Sequence, residues 1–371
     1  MIVGNGSQAL LHHVAGRAGV AVLNRPSVLN VIDMDLIKAL TRRLAIWRDD
    51  PAIAAVLVRG AGERAFCAGG DVRAVYVRRG DDAFMDEVYR VEYLLDDAIA
   101  RYSKPYVVLM SGIVMGGGCG ISVHGSHRIV TETTKLAMPE CRIGLFPDIG
   151  ASFFLARCPG RLGLYLGLTG VSIGAADALY LGLADYFIPT NRLPQIVSAI
   201  NGGQTASQDM LGALAVVPQT APLSLLRKDI DAVFGLGCVR DILDALDSSS
   251  AAWARDAYDS IRKACPLSLE LTFRSIREAA TKTLRECLIS DFRIAQRLMK
   301  REDYFEGVRA RIIDKDNQPR WTHDAVGAVD PAEVEAYFAP FTGHELEFDE
   351  QAEPFAVHGA GGLSRRRDGR A

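Results

Sequence analysis

Several features that define common protein classes are absent from this sequence. Its seven cysteines include no C-x-x-C pair, and an odd number without that spacing predicts free thiols in a reducing compartment. The net charge of −3 provides no basic surface for nucleic acid or for a membrane. No apolar run reaches the length that spans a bilayer. We therefore expect neither a nucleic-acid partner nor a membrane partner.

Targeting and nucleotide-binding signatures are missing as well. Residues 1–6 contain neither a basic segment nor an apolar one, and they are not typical of an Arg-rich transit peptide, so we predict a cytoplasmic location. Neither G-x-x-x-x-G-K-[ST] nor G-x-G-x-x-G after a strand occurs. His124 and His127 lie three residues apart, but no further ligand is suitably spaced. We interpret both histidines as core or surface residues and predict no metal.

Two glycine-rich turns are the most informative segments of the chain. Residues 115–120 follow the apolar run Tyr106–Met110 and precede a helix-like segment, and residues 65–73 follow a second strand candidate at 54–58. Glycine lets a backbone approach a ligand without a Cβ in the way, and a helix N-terminus leaves N–H groups free. Such a turn binds a phosphate or an acyl oxyanion. Two of them after consecutive strands favour two donors that converge on one oxygen.

Cys67 and Cys119 lie within these two turns and raise the alternative of a thiol nucleophile. No histidine is placed by the sequence to activate either thiol. We therefore interpret both as small buried residues.

Patterning predicts an α/β protein with a helical carboxyl-terminal part. Residues 9–13 and 20–23 flank a glycine-containing turn and predict a β-hairpin. Residues 33–47 predict an amphipathic helix, and strands then alternate with helices to about residue 189. The apolar face of that helix comprises Leu36, Ile37, Leu40, Leu44 and Trp47.

The chain divides into four predicted parts. Residues 8–190 form the α/β core, and residues 191–220, rich in small and polar residues with weak periodicity, form a connector. Residues 221–345 are almost wholly helical in pattern. Residues 346–371, which become Gly/Arg-rich, are predicted to be disordered.

One carboxylate stands out within a predicted helix over Asp82–Ala100. The apolar stripe of that helix contains Val88, Val91, Leu95 and Ile99, and Glu92 falls inside it, whereas Asp86, Arg90 and Asp97 form the charged face. A carboxylate on a core-facing stripe is costly unless it is paired or functional. A buried ion pair, a position at the edge of the stripe and a functional role all remain open for Glu92.

Short motifs in register resemble the crotonase (enoyl-CoA hydratase/isomerase) superfamily over roughly residues 8–190. They are Leu23-Asn24-Arg25-Pro26 with Asn30, residues 65–71, residues 116–119 and Met138-Pro139-Glu140. Within that superfamily the chain looks most like the 3-hydroxyisobutyryl-CoA hydrolases. That closer likeness is carried by residues 115–118, 122–125, 137–140, 143–150 and 314–317 with Trp321.

The resemblance implies a fold of repeated ββα turns that forms a spiral core, followed by a helical carboxyl-terminal extension. It implies an acyl-CoA ligand whose thioester oxygen is bound by the N–H groups of Gly70 and Gly117. The Ala68 carbonyl would face the adenine, and Arg25, with help from Arg73, would lie near the CoA phosphates. Ser27 stands where the family often has lysine, which weakens the expected phosphate contact. The resemblance also places a substrate-contacting glutamate at position 92.

Carboxylates distinguish the branches of the superfamily that the chain resembles. Hydratases use a glutamate directly after the glycine turn together with the glutamate of the Pro-Glu motif. This chain has Gly120 at the first position and keeps Glu140 at the second, with Asp148 eight residues on. The resemblance to the hydrolases implies that Glu140 attacks the thioester carbon or activates water, and that Asp148 orients the substrate hydroxyl or the attacking group. A carboxylate in a partly dry site has a raised pKa, which suits a general base.

These observations predict a thioester hydrolase that converts 3-hydroxyisobutyryl-CoA to 3-hydroxyisobutyrate and CoA in valine degradation. CoA is part of the substrate, and no other cofactor is expected. An enoyl-CoA hydratase or isomerase that acts through Glu140 alone is the nearest alternative, and a non-catalytic CoA-binding paralogue is a third. A homo-oligomer is left open, as are the acyl chain preference and the role of the carboxyl-terminal tail.

Overall fold

A computed structural model describes residues 9–202, 204 and 207–348. The segment predicted to be disordered therefore lies outside the described residues from residue 349 onward. Among the described residues, no helix combines the length and the apolar character needed to cross a membrane.

Two sheets of unequal size form the α/β part. The strands are β1 Leu10–Ala15, β2 Ala18–Leu23, β3 Ala55–Gly60, β4 Ala65–Cys67, β5 Tyr106–Met110, β6 Ile113–Met115, β7 His127–Val130, β8 Lys135–Ala137 and β9 Tyr186–Phe187. The larger sheet has the order β1-β2-β3-β5-β7-β9 and is parallel except for the β1–β2 hairpin. The smaller sheet, β4-β6-β8, is parallel throughout.

Helices connect the strands and cover the sheets. They are α1 Met34–Asp49, α2 Val72–Val77, α3 Asp82–Ala100, α4 Gly117–Val123, α5 Ala151–Leu155, α6 Leu162–Thr169 and α7 Ala175–Tyr180. The predicted apolar face of α1 is confirmed, because all five of its residues are buried. Asp33 caps this helix by accepting a hydrogen bond from the Leu36 N–H at 2.9 Å. The predicted bounds of α3 agree with the structure.

The small sheet corrects the predicted origin of the two glycine turns. The turns were expected to follow the long strands β3 and β5, but they follow β4 and β6, which come next in the chain. These strands of three residues each are too short to show an alternating pattern in the sequence. Because β4 and β6 are parallel neighbours, their carboxyl ends lie side by side and bring the two turns together.

The remaining described residues are mainly helical. It contains α8 Leu193–Asn201, α9 Gln208–Leu214, α10 Pro222–Phe234, α11 Val239–Asp247, α12 Ala252–Arg262, α13 Pro266–Glu278, α14 Leu284–Leu298, α15 Glu302–Val308 and α16 Pro331–Phe338, with a π-helical turn at Arg309–Ile313. The predicted connector, residues 191–220, contains α8 and α9, so it is more regular than its composition indicates. The four-part division of the chain stays a prediction.

From α10 onward, the carboxyl-terminal helices share a hydrophobic core with the α/β part, in a cluster of buried apolar residues that runs from Leu10 to Leu346. A second, smaller cluster joins α8 and α9 to the other face of the larger sheet. Glycine allows the closest contact between the two parts. A Cβ at Gly307 of α15 would lie 2.6 Å from the Ile143 Cα, and a Cβ at Gly144 would lie 2.8 Å from the Tyr304 nitrogen. These distances are shorter than real Cβ contacts, so α15 packs backbone to backbone against residues 143–144.

This contact generates a stability prediction. Gly307→Ala should lower the free energy of unfolding by about 1–3 kcal/mol, because the added Cβ overlaps backbone that has no rotamer to adjust. Chemical denaturation with matched m-values measures the difference.

Gly212→Ala is the matched control. Nothing lies within 4 Å of a Cβ at Gly212 of α9, and alanine favours a helix over glycine. The control should therefore be neutral or slightly stabilising. Equal stability of the two variants would contradict the packing described for α15.

Candidate active site

A cavity of about 880 Å³ lies where the two glycine turns, α3 and α15 meet. It is lined by six of the eight residues that the sequence predicted for the site: Ala68, Gly70, Glu92, Gly117, Glu140 and Asp148. Its inner end is formed by buried groups, whereas Asp35, Asp81 and Glu87 at its mouth are exposed. The cavity thus joins a buried interior to the solvent.

The two glycine turns present free N–H groups to the same space. Gly69 accepts a hydrogen bond from Ile32 and Asp71 donates one to Ile32, both at 2.9 Å, so the Gly70 N–H between them points away from Ile32. Gly117 is the first residue of α4, and its N–H has no acceptor within the helix. A Cβ at Gly117 would lie 3.4 Å from the Gly70 nitrogen, which shows how closely the two turns approach.

Glu140 lies beside these turns in a short 3-10 helix, Glu140–Ile143. Its Oε1 is 2.9 Å from the position that a Cβ of Gly116 would occupy, so glycine in the left-handed region (φ 52°) makes room for the carboxyl. Glu140 is only 5% exposed, and its buried Oε2 has no hydrogen-bond partner among the described residues. Burial, followed by the charge of Asp148, raises the pKa of Glu140 well above its usual value.

Asp148 and Glu92 complete a cluster of three buried carboxyls. The Tyr93 hydroxyl donates a hydrogen bond of 2.7 Å to Asp148 Oδ2. Burial raises the pKa of both carboxyls, but this hydrogen bond lowers the pKa of Asp148, whereas the charge of Asp148 raises that of Glu92. Of these two carboxyls, Asp148 is therefore the one that more readily loses its proton and carries the charge. The ion-pair interpretation of Glu92 is not supported, because no cation pairs with it in the described part of the chain.

Asp96 is a buried carboxyl that sequence reasoning missed. It lies one helical turn after Glu92 and is fully buried, and neither oxygen has a partner among the residues described. A Cβ at Gly120 would lie 2.6 Å from its Oδ1. Asp96 thus lies directly against the position at which the resemblance to hydratases would require a glutamate. Asp96 follows Glu92 by four residues, so both lie on one face of α3. This spacing was the signal that could have indicated a second buried carboxyl.

Asp97 was predicted on the charged face of α3, and that prediction is wrong. Asp97 is buried and forms a bidentate ion pair with Arg285 of α14, at 2.9 and 2.8 Å. Nothing in the sequence around Asp97 indicates a partner that lies 188 residues later in the chain.

Arg25 and Arg73 do not line the cavity, in contrast to the other predicted site residues. Arg25 forms ion pairs with Asp33 at 3.0 Å and Asp71 at 3.5 Å, so its charge is already compensated. Arg73 is exposed and donates a hydrogen bond of 3.1 Å to the Ile312 carbonyl. Three other arginines line the cavity and were not predicted: Arg78, Arg142 and Arg311.

The cysteines and histidines have structural surroundings, as interpreted from the sequence. Cys67 and Cys119 are fully buried, and burial raises the pKa of the Cys67 thiol to about 12 and that of Cys119 well above its usual value, so neither is a thiolate. His124 contacts the Ile149 carbonyl at 2.8 Å, and His127 stacks on Tyr186. In residues 9–202, 204 and 207–348, no group of three potential ligands could hold a metal ion.

The orphaned Asp96 carboxyl generates a pH prediction. Burial raises the pKa of Asp96 in the folded protein, so the folded state binds more protons than the unfolded state once the pH exceeds the ordinary Asp value near ~4. Stability therefore falls as pH rises through this window. Asp96→Asn, which cannot ionise, should gain up to about 1.4 kcal/mol per pH unit relative to the parent chain.

Urea unfolding of both proteins at pH 5 and pH 8 measures this difference. The subtraction removes the contributions of titratable groups that do not interact with Asp96, because these are the same in both proteins. A difference that stays constant with pH, or that shrinks as pH rises, would show that Asp96 is not held neutral by the fold.

Comparisons with known proteins agree with this geometry. The Enoyl-CoA hydratase/isomerase family model matches residues 18–338. The 3-hydroxyisobutyryl-CoA hydrolase, mitochondrial, of Xenopus tropicalis is 36% identical over 343 residues, which cover 90% of this chain and 89% of that protein. The protein of the same name from Danio rerio is 37% identical over 352 residues, with 92% of each covered.

A solved structure shows the same fold over nearly the whole chain. A crystal structure of an enoyl-CoA hydratase from Rhodobacter sphaeroides 2.4.1 superimposes with a TM-score of 0.87 at 38% identity, covering 92% of this chain and 100% of that one. The predicted crotonase-like fold with its helical extension is therefore confirmed. The chain belongs to the enoyl-CoA hydratase/isomerase family and, within it, to the group that includes the 3-hydroxyisobutyryl-CoA hydrolases.

Proposed function

We propose that this protein is an acyl-CoA thioester hydrolase that converts 3-hydroxyisobutyryl-CoA and water to 3-hydroxyisobutyrate and CoA. One observation carries the proposal. The Glu140 carboxyl lies beside two free backbone N–H groups, whereas position 120 offers no second carboxylate there. The names of the Xenopus and Danio relatives describe the same reaction.

The N–H groups of Gly70 and Gly117 serve as the oxyanion hole in this proposal. The thioester carbonyl oxygen accepts both hydrogen bonds, which strengthen as the oxygen becomes an anion in the tetrahedral transition state. Ala68, in the same turn as Gly70 and also on the cavity wall, is proposed to face the adenine with its carbonyl. The cavity wall around these donors is largely buried, so water competes little for the oxyanion.

Glu140 starts the hydrolysis by one of two routes. As a nucleophile, its carboxylate attacks the thioester carbon, CoA leaves as the thiolate, and water hydrolyses the resulting mixed anhydride. As a general base, it takes a proton from water, which attacks directly while CoA leaves. Both routes need ionised Glu140, and its raised pKa makes the ionised form a stronger base.

Asp148 and Glu92 are proposed to orient the substrate. Their carboxyls line the inner end of the cavity beside Glu140, where the acyl group has to lie if its carbonyl contacts the two glycine turns. A hydroxyl on that acyl group can donate a hydrogen bond to Asp148, which is the carboxyl that Tyr93 helps to keep ionised. An uncharged, unsubstituted acyl group would leave these oxygens without a partner.

Enoyl-CoA hydration is the second candidate, because a solved structure that bears that name has the same fold. Hydration in the family uses two carboxylates that face one water. In this chain the first position is Gly120, and the Asp96 carboxyl lies against it, fully buried and outside the cavity wall. A silent CoA-binding role is disfavoured because Glu140 and Asp148 both line the cavity.

Several finer points belong to the proposal. We place the protein in valine degradation only because of its proposed substrate.

A contact between Arg25 and a CoA phosphate would require Arg25 to leave its two carboxylate partners, Asp33 and Asp71. The relatives' names include the word mitochondrial, which does not support the predicted cytoplasmic location. The expectations of no cofactor, no metal and an open oligomeric state remain predictions.

A pair of substrates tests the reaction type. The purified protein should release free thiol from 3-hydroxyisobutyryl-CoA, and it should leave crotonyl-CoA essentially unhydrated because only one carboxylate of the hydratase pair is present. A thiol reagent follows the first reaction, and loss of the enoyl thioester absorbance follows the second. Rapid hydration without thiol release would replace the hydrolase with the hydratase.

Glu140→Gln serves as the control for that assay. The substitution keeps the shape of the side chain but removes the oxygen that attacks or accepts a proton, so thiol release should fall by roughly 10²-fold or more. The affinity for CoA, measured by calorimetry, should stay close to that of the parent. Parent-like turnover in this variant would exclude Glu140 from the chemistry.

Gly70 offers a clean test of the oxyanion hole. Gly70→Pro deletes the N–H and should lower the turnover number roughly 10²–10³-fold. Gly70→Ala keeps the N–H and introduces a Cβ that has nothing within 4 Å, so it should remain within a few-fold of the parent. Gly117 is less suitable, because a Cβ there would lie 2.9 Å from Ile32 Cδ1 and would overlap Glu92. Equal loss in both Gly70 variants, with both folded by circular dichroism, would contradict the assigned role.

A further inference from the structure

Two of the three arginines that line the cavity differ from the third, Arg78, whose guanidinium lies 4.0 Å from the Asp81 carboxylate. Arg142 donates to the Thr169 carbonyl at 2.8 Å, and Arg311 donates to the Asn317 side-chain oxygen at 3.0 Å. Neither forms an ion pair within the described residues, and the buried Nε of Arg311 has no hydrogen-bond partner there. We call Arg142 and Arg311 the guanidinium pair.

Both arginines line the same cavity, on segments that Gly144 and Gly307 bring into backbone contact. Burial and the charge of Arg311 lower the pKa of Arg142. Holding two cations together in a half-buried place is unfavourable unless an anion joins them. The contrast with Arg309, two residues before Arg311, is direct. Arg309 is neutralised by Glu306 at 2.8 Å, Asp314 at 2.6 Å and Asp316 at 2.7 Å.

The buried carboxyls of the cavity are not the missing counter-ions. The pKa of Glu140 is raised by burial and by its acidic neighbours, whereas a guanidinium at contact distance would lower it. The guanidinium pair and the carboxyl cluster therefore occupy different parts of the same cavity wall. An elongated ligand can contact both.

The protein holds the guanidinium pair in place through rigid backbone. Arg142 belongs to the same 3-10 helix as Glu140, and Arg311 belongs to the π-helical turn that follows α15. Gly144 and Gly307 bring these two segments into backbone contact. Asn317, which fixes the Arg311 side chain, also lines the cavity. The pair is thus assembled across the junction between the α/β part and the carboxyl-terminal helices.

We propose that the guanidinium pair is a phosphate-binding site for the CoA portion of the substrate. The inference rests on the proposed function, because the acyl group of that substrate is uncharged and its phosphates are the only anions it carries. Guanidinium groups bind phosphate oxygens through paired, charge-assisted hydrogen bonds. The site anchors the CoA portion while the thioester lies at the inner carboxyls.

Direct binding tests the site without turnover. Calorimetry should show that Arg142→Gln/Arg311→Gln weakens CoA binding by roughly 10- to 100-fold, the range for loss of charge-assisted hydrogen bonds. Pantetheine, which lacks the phosphates, should bind equally well to the parent and the variant. Dephospho-CoA, which lacks the 3′-phosphate, shows which phosphate the pair binds. If the variant also binds dephospho-CoA more weakly than the parent does, the pair contacts the diphosphate. If both proteins bind dephospho-CoA equally well, the pair contacts the 3′-phosphate.

Matched controls separate charge from packing. Arg142→Lys/Arg311→Lys keeps both charges and should recover most of the affinity. Arg240→Gln removes an exposed arginine that also donates to one backbone carbonyl, that of Gly327 at 3.3 Å, away from the cavity, and it should leave CoA binding unchanged. The affinity of the parent for CoA, but not for pantetheine, should fall with added salt.

Three results for the Arg142→Gln/Arg311→Gln variant would overturn the site. The first is an equal loss of affinity for CoA and for pantetheine, and the second is no loss of affinity for either ligand. The third is a loss of affinity only for thioesters whose acyl group carries a free carboxylate. The last result would assign the pair to the acyl end. Because these measurements need no hydrolysis, an inactive parent would refute the proposed reaction and leave this test intact.

Discussion

Backbone segments meet around the cavity at distances that leave no room for side chains, and the rest of the site depends on this contact. At Gly116 the missing Cβ makes space for the Glu140 carboxyl, and at Gly117 and Gly120 it lets α4 approach the Glu92 and Asp96 side chains of α3. Because these segments fit so closely, the carboxyls of Glu92, Glu140 and Asp148 are buried and still line the cavity.

Burial of several acids in one small volume determines the electrostatics of the site. Glu92, Asp96, Glu140, Asp148 and Asp291 are all buried, and burial raises the pKa of each. They cannot all be ionised, so the cluster shares its charge among a few positions. Tyr93 biases that charge towards Asp148 through a neutral hydrogen bond rather than through a cation. Among the described residues no cation forms an ion pair with Glu92, Glu140 or Asp148, so no ion pair lowers the basicity of these carboxyls.

Periodicity and local motifs explain what could be predicted from the sequence. The α1 stripe and the inward position of Glu92 follow from a period of 3.6 residues, and the crotonase resemblance follows from short motifs in register. The strands β4, β6 and β8 were not predicted, because a strand of three residues is too short to show an alternating pattern. Contacts between segments distant in sequence, such as Asp97 with Arg285, leave no local trace. The same holds for Arg142 and Arg311, whose proximity depends on two glycines in different parts of the chain.

The core that the α/β part shares with the helices from α10 onward also has a consequence for the order of synthesis. The residues that form the glycine turns and the carboxyl cluster emerge from the ribosome early, whereas Tyr304, Arg311 and Ile312 of the opposite wall emerge much later. Until α15 is made, the Glu140 helix lacks the backbone surface against which it packs. A nascent chain that ends before residue 302 therefore exposes its inner acids to water, and the cavity closes only after residues 302–317 have been made.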